Sequence, residues 1–195
     1  MTSVRKGCIR CAGLEPIEFN FDAEQSRQRV LPAVKAAAKR MKTEQRAKLL
    51  TENLPDLLKV TVPSEPTGEC EPLRWDEVRK MSTDRIDFGG HTKTHPILSS
   101  VAGERELLEE INGSKIRIEQ ELGKPVRHFA YPNGTQADVN TAAIDEVKRS
   151  GFRTAALAQG GLNFKNADPF LLRRIVVQAD TPDLIFGRDA TGFRR

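Results

Sequence analysis

Two sets of apolar residues recur every three to four positions between residues 23 and 60. The first set runs from Ala23 to about Lys42 and comprises Val30, Leu31, Val34, Ala37, Ala38 and Met41. The second comprises Leu50, Leu54, Leu57 and Leu58. This spacing places each set on one face of a helix. Each helix contains a proline, Pro32 or Pro55, that distorts it locally. The pattern predicts a helical hairpin.

Two shorter patterns precede this hairpin. Residues 3–12 predict a short helix that ends near Gly13, and this helix would place Cys8 and Cys11 one turn apart. The segment "PIEFNF", residues 16–21, alternates between apolar and polar side chains as a strand does.

The pattern changes after residues 61–72, a stretch rich in proline and polar residues that reads as a connection. Helices are predicted over 74–82, 100–122 and 139–150 and after Thr181, and strands over 85–88, 126–131, 152–157 and 173–178. This alternation is typical of an α/β domain with parallel strands, whose sites lie at the carboxyl ends of the strands. The sequence therefore predicts two regions, 1–72 and 73–195.

Composition narrows the class of protein. The chain has 195 residues, 38% hydrophobic and 30% charged, and lacks a run of the roughly 20 apolar residues needed to span a bilayer. Its N-terminus lacks the apolar stretch of a secretion signal, and three cysteines do not form a disulfide framework. We therefore expect no membrane association and, by default, a cytoplasmic location.

The net charge of +4 is concentrated in the helical hairpin. Residues 24–60 carry nine basic and four acidic side chains. A basic stripe can bind nucleic acid or an anionic polymer, but no aromatic residue lies between 24 and 60 to stack on a base. The stripe therefore favours a solvated helix face, and no nucleic-acid partner is expected.

Two of the three histidines lie four residues apart in "DFGGHTKTHPILS", residues 87–99. His91 and His95 follow a predicted strand, and on one helical turn both imidazoles would point the same way, towards a single divalent cation. The intervening Thr92 and Thr94 offer hydroxyls that could orient the imidazoles. An H-x-x-x-H pair alone is a weak signal for a metal site.

A second predicted strand runs into "RHFAYPNG", residues 127–134, with the chain's only tyrosine, Tyr131, and a proline-glycine turn. Its histidine, His128, is expected to find hydrogen-bonding partners within the sheet and its surroundings. The Tyr131 ring could line a sugar pocket or pack in the core, and Trp75 is expected to start a helix and to bury against the sheet.

The segments "HTKTHP", residues 91–96, and "FAYPNG", residues 129–134, together resemble motifs of the metal-dependent polysaccharide deacetylases with a NodB-homology domain. The likeness covers about residues 73–178, and the hairpin at 23–60 resembles an insertion that some members carry. The resemblance implies an α/β fold, namely a partial, distorted (β/α) barrel with an N-terminal helical insertion. It also implies that 73–195 is the C-terminal part of the deacetylase core.

The resemblance also implies a chemistry. A divalent metal, usually zinc, is bound in this family by one aspartate and two histidines, matched here by His91 and His95. Water attacks the acetamide carbon of an N-acetylated sugar in a polysaccharide or oligosaccharide, which yields acetate and a free amine. The substrate and oxyanion loop corresponds to Tyr131, Pro132 and Asn133, and Asn133 would provide the backbone N–H.

One part of the family pattern is missing. The first motif, T-F-D-D-G, which supplies the base and the carboxylate ligand, is not found, and only Asp22 in "FNFDAE" offers a substitute. No histidine follows His128 to act as the acid, so the catalytic residues remain unknown. The expected function is therefore hydrolytic deacetylation, with this chain a truncated form that begins downstream of the first motif and lacks its carboxylates. The alternative is a non-catalytic remnant that binds carbohydrate or a partner protein.

Overall fold

A computed structural model describes residues 4–10, 15–39, 41–65, 71–175, 177 and 181–191. The chain forms two compact units, Met1–Pro72 and Leu73–Arg195. Among the helices in these described ranges, none is both long enough and apolar enough to cross a membrane.

The first unit begins with a β-hairpin. Strand β1 (Lys6–Ile9) pairs antiparallel with β2 (Ile17–Asn20), and Ile9 lies opposite Ile17. The strand predicted at 16–21 is confirmed, whereas the helix predicted at 3–12 is wrong. Pairing with β2 satisfies the backbone groups of β1 between strands rather than within a helix. Cys8 therefore lies on a strand, and Cys11 lies outside the described residues.

The predicted helical hairpin is confirmed. Helix α1 (Glu24–Lys39) buries Val30, Val34 and Ala38, which are spaced four residues apart, and leaves Leu31 57% exposed. Val30 and Val34 pack with Ile9 and Phe19 in the core of this unit.

The return arm of the hairpin is irregular. Helix α2 (Thr43–Lys48) continues through a π-helical segment (Leu49–Asn53) into α3 (Leu54–Leu58). Pro55, near the start of α3, has no N–H to donate to the carbonyl four residues earlier, so the regular α-helical pattern is interrupted beside it.

The second unit alternates helices and short strands as predicted. Its elements are α4 (Trp75–Thr83), α5 (Glu104–Leu122), β3 (His128–Ala130), α6 (Thr141–Arg149), β4 (Thr154–Ala156) and α7 (Asp183–Thr191). Single 3-10 turns occur at Leu98–Ser100 and Gln136–Asp138.

The strands of this unit are parallel. Phe129 of β3 pairs with Ala155 of β4, and isolated parallel bridges extend the sheet on either side, from Gly90 to Phe129 and from Leu172 to Ala156. Within the described residues the sheet does not close into a barrel. The result is a partial α/β fold, as predicted.

Two predicted strands are corrected. Residues 85–88 form no strand, because Arg85 has a positive φ of 65° and pairing with β3 begins only at Gly90. The described residues of the strand predicted at 173–178, which are 173–175 and 177, form no strand, and a single bridge lies just before them at Leu172. Residues 176 and 178 lie outside the described part of the chain.

The core of the second unit lies between this sheet and its helices. Leu98, Ile111, Tyr131 and Val147 are each no more than 1% exposed and belong to one apolar cluster. Because the cluster includes side chains from both motif-bearing segments, it holds the loops at the carboxyl end of the sheet in place.

Candidate active site

The histidine pair lies in a loop that follows the bridge at Gly90. The ring centroids of His91 and His95 are 4.8 Å apart with an interplanar angle of 76°, and both residues are exposed. The structure thus brings together the two side chains predicted to bind a cation.

The expectation of a helical turn at this pair is wrong. Residues 91–97 contain no helix, and Thr92 and His95 have positive φ angles of 64° and 58°. Pro96 disfavours the right-handed helical conformation for the residue before it, and the backbone N–H of His95 donates to Thr92 Oγ1 at 3.1 Å. A folded loop, rather than one turn of helix, therefore brings the imidazoles together.

The orientation of His91 is fixed by the adjacent strand. Its Nδ1 lies 2.7 Å from the backbone carbonyl oxygen of Ala130, at the end of β3. A carbonyl oxygen only accepts, so Nδ1 carries the proton and donates it. In the neutral ring, Nε2 then has a free lone pair, the form that binds a metal ion.

Glu110 holds the loop between the two histidines. Its Oε2 accepts hydrogen bonds from the backbone N–H groups of Lys93 and Thr94, both at 2.9 Å, and its Oε1 accepts from Thr94 Oγ1 at 2.7 Å. The hydroxyls of Thr92 and Thr94 therefore shape the loop rather than the imidazoles.

No motif identifies Glu110, but its position in the sequence carries a signal. It lies on the buried face of α5 beside Leu107 and Ile111 and is only 8% exposed. An acidic residue on an apolar helix face needs hydrogen-bonding partners elsewhere in the fold.

The loop within "FAYPNG", residues 129–134, which we call the third-motif loop, leaves β3 in an unusual conformation. Asn133 and Gly134 both have positive φ, 56° and 73°. Among the described residues, the backbone N–H of Asn133 has no hydrogen-bond partner. Asn133 is half-buried, so a donor is available at the position that the resemblance assigns to the oxyanion.

Tyr131 and Pro132 anchor that loop. Tyr131 is 1% exposed, its ring packs edge-on against Phe129, and its hydroxyl donates to the carbonyl of Phe170 at 3.0 Å. Burial raises the pKa of Tyr131, and the nearby charge of Asp168 raises it further. Of the two roles considered for the Tyr131 ring, the structure places it in the core, where Pro132 is also fully buried.

His128 and Trp75, the other two candidate residues, contact neighbouring side chains within the second unit. His128 Nδ1 lies 2.8 Å from Thr154 Oγ1, across the β3–β4 pair. Trp75 begins α4, but its ring contacts the Arg117 guanidinium of α5 at 5.1 Å, so the expected burial against the sheet is replaced by a helix contact.

Among the described residues, no carboxylate joins the pair as a third metal ligand. Asp22 belongs to the first unit, where it forms ion pairs with Arg5 at 2.5 Å and Lys6 at 3.7 Å. The hydrogen bond from Arg5 lowers the pKa of Asp22. In the part of the chain that the structure describes, no three His, Cys, Asp or Glu residues are grouped to hold a metal ion. His91 and His95 therefore fit two ligand positions, and the described residues do not provide a third.

Comparison with solved structures identifies the fold. The deacetylase PplD of Streptococcus pyogenes, solved with acetate, has a TM-score of 0.56 at 20% identity, covering 63% of this chain and 52% of its own. A polysaccharide deacetylase from Bacillus cereus has a TM-score of 0.53 at 21% identity, covering 76% of this chain and 48% of its own. The chain thus spans about half the length of these proteins.

The sequence itself matches a family model. No curated protein sequence matches the chain significantly. The model for polysaccharide deacetylases, however, matches residues 25–155, about two thirds of the chain, and includes both the histidine pair and the third-motif loop. The chain therefore belongs to the polysaccharide deacetylase family.

Proposed function

We propose that the chain hydrolyses acetyl groups from N-acetylated sugars of a polysaccharide or oligosaccharide, with a divalent cation, zinc, bound by His91 and His95. The observation that carries this proposal is the geometry of the pair. Two exposed imidazoles lie 4.8 Å apart, and the hydrogen bond to Ala130 leaves Nε2 of His91 available as a ligand.

The chain's own groups have separate tasks in this reaction. The Nε2 atom of His91 and the imidazole of His95 would hold the cation, which when bound would polarise the acetyl oxygen and acidify water. The backbone N–H of Asn133 donates to the oxygen that becomes negative as water adds to the acetyl carbon. The C–N bond then breaks, the sugar nitrogen takes up a proton, and acetate leaves.

A second candidate is a family member that binds carbohydrate or a partner protein without catalysis. The observation in its favour is that no carboxylate among the described residues joins the histidine pair in a group that could hold a metal. Two imidazoles alone bind zinc more weakly than a three-ligand site. The general base and the general acid have no assigned residue in either case.

Zinc titration by calorimetry tests the metal site. We expect micromolar or tighter binding by the full chain, weakened by at least about tenfold in His91→Ala and His95→Ala. His128→Ala is the matched control, because this exposed histidine bonds to Thr154 and not to the pair. Equal affinity in all four proteins would contradict the proposed site.

Acetate release then separates the two candidate functions. The zinc-loaded chain is incubated with an N-acetylglucosamine oligomer, and free acetate is measured against His91→Ala. Release that depends on His91 supports hydrolysis. Zinc binding without acetate release, together with retention on a column of the oligomer, supports the non-catalytic alternative.

A further inference from the structure

We propose that Glu110 is the positioning residue of the histidine pair: its buried carboxylate fixes the loop between His91 and His95 in the shape that lets both imidazoles reach one cation. This inference rests on the proposed function, because it concerns the site through which that function would operate.

The first argument is the hydrogen-bond pattern. Both oxygens of Glu110 are used, and all three donors come from Lys93 and Thr94, two of the three residues that separate the histidines. The donors are two backbone N–H groups and one hydroxyl. Hydrogen bonds to an ionised carboxylate are stronger than those between neutral groups. Glu110 therefore restrains the backbone of this loop from one side.

The second argument is the conformation of the loop. Thr92 and His95, which flank the two residues bound by Glu110, have the positive φ angles that non-glycine residues rarely adopt. Such a conformation persists where the surroundings determine it. The Glu110 carboxylate lies between these two positions and accepts three hydrogen bonds from Lys93 and Thr94. Without it the N–H groups of both residues would lose their acceptor.

The third argument is the burial of Glu110 without a basic partner. Glu110 is 8% exposed, and the ion pairs of the described residues do not include it. A buried carboxylate is costly unless hydrogen bonds compensate for lost hydration. All of its compensation comes from the histidine loop, so its place on the apolar face of α5 is explained by that loop.

The same unit contains a matched control. Glu146 of α6 is also buried, at 4% exposed, but its partners are Arg149 at 2.9 Å and Ser150 Oγ at 3.1 Å, near the end of its own helix. Replacement of Glu146 removes a buried carboxylate and its hydrogen bonds without touching the histidine loop.

Amide hydrogen exchange of the metal-free full chain is the first test. In the native protein Glu110 accepts the amide N–H groups of residues 93 and 94, so we expect both to be protected from exchange. We expect Glu110→Ala to abolish this protection and Glu146→Ala to retain it. Glu110→Gln should retain most of it, because the side-chain carbonyl can accept both N–H groups while the NH₂ donates to Thr94 Oγ1.

Zinc calorimetry on the same proteins is the second test. We expect Glu110→Ala to weaken zinc binding by about 10- to 100-fold, as replacement of groups that orient metal ligands does, with recovery towards the native affinity in Glu110→Gln. Native affinity and native amide protection in folded Glu110→Ala would overturn the proposal, and so would equal losses in Glu110→Ala and Glu146→Ala.

Thr94→Val covers the case in which Glu110→Ala does not fold. It removes only the hydroxyl bond to Glu110 from an exposed residue, so we expect a folded protein with faster exchange at residue 94 and zinc binding weakened several-fold. No change in either measurement would overturn the proposal. If the native chain binds no zinc, the proposed function fails, while the exchange experiment, which needs no metal, still decides the role of Glu110.

Discussion

Gly134 in the third-motif loop provides a stability test whose magnitude follows from the structure. Gly134 has a φ of +73°, and a Cβ atom added there would lie 2.5 Å from the backbone nitrogen of Ala158 and 3.0 Å from the carbonyl oxygen of Tyr131. Both neighbours are backbone atoms, so they cannot rotate away as a flexible side chain would. Gly134→Ala therefore forces the loop to move.

Two costs add in this variant. A left-handed conformation costs an L-residue about 1–2 kcal/mol relative to glycine. The forced contact adds about 1–3 kcal/mol, the usual range for an overpacked site. Moving the loop also strains the hydrogen bond from the Ala158 N–H to the Gly134 carbonyl, which is 2.8 Å long. We expect a loss of about 2–5 kcal/mol in the free energy of unfolding.

Gly151→Ala is the control that separates the cost of the close contact at Gly134 from the cost of the left-handed backbone conformation. Gly151 has a φ of +78°, close to that of Gly134, but a Cβ added there meets nothing within 4 Å. Its cost should be about 1–2 kcal/mol. The effect of glycine on the entropy of the unfolded chain is common to both variants and cancels in their difference.

Urea unfolding followed by Trp75 fluorescence measures both variants. Trp75 is the only tryptophan and lies in the same unit as both glycines, so its signal reports on that unit. We expect Gly134→Ala to be less stable than Gly151→Ala by about 1–3 kcal/mol. Equal losses in the two variants would refute the close approach of Gly134 to Ala158.

Two further predictions use the same fluorescence assay. The raised pKa of Tyr131 means that the folded state holds the phenol proton more tightly, so stability is full below the ordinary value of 10.0 and falls as the pH rises above it. Tyr131→Phe removes the hydrogen bond to Phe170 and should lower the free energy of unfolding by about 1 kcal/mol at neutral pH. It should also flatten the fall of stability at alkaline pH. An unchanged fall would contradict the burial of the phenol. Ile111→Ala, at a side chain that is 0% exposed, should cost about 2–5 kcal/mol, whereas Ile116→Ala, at 45% exposed, should change stability by less than about 0.5 kcal/mol. Similar losses in both isoleucine variants would contradict the assignment of Ile111 to the core.

The sequence predicted well those elements whose own residues bury a regular face. The four-residue spacing of Val30, Val34 and Ala38 is enough to identify α1, because the helix satisfies its own backbone and needs the core only on one side. The prediction of a strand at 85–88 was wrong because a strand, unlike a helix, cannot satisfy its own backbone. A strand needs a partner for its backbone groups, and here pairing with β3 begins only at Gly90.

The candidate site was predicted in part. The motifs identified His91, His95 and the loop at Asn133, but residue spacing indicated a helical turn where the chain forms a loop with two positive φ angles. That loop is held by Glu110, which lies 16 residues after Thr94 in the sequence. The spacing of the histidines gives no information about so distant a residue. Only the acidic residue on an apolar helix face hints at it.

The geometry of the site depends on the close approach of two backbones at the edge of the sheet. Ala130 donates its N–H to the Gly90 carbonyl at 2.9 Å and accepts the hydrogen bond from His91 at its own carbonyl, so one residue both pairs the strand and orients the imidazole. A Cβ at Gly90 would lie 2.7 Å from Phe152 Cζ and 3.0 Å from Phe129 Cδ2. Glycine at this position leaves room for these two phenyl rings while its backbone pairs with β3, and this pairing places the next residue, His91, within reach of Ala130. The orientation of the His91 imidazole therefore requires glycine at position 90 as well as the hydrogen bond to Ala130.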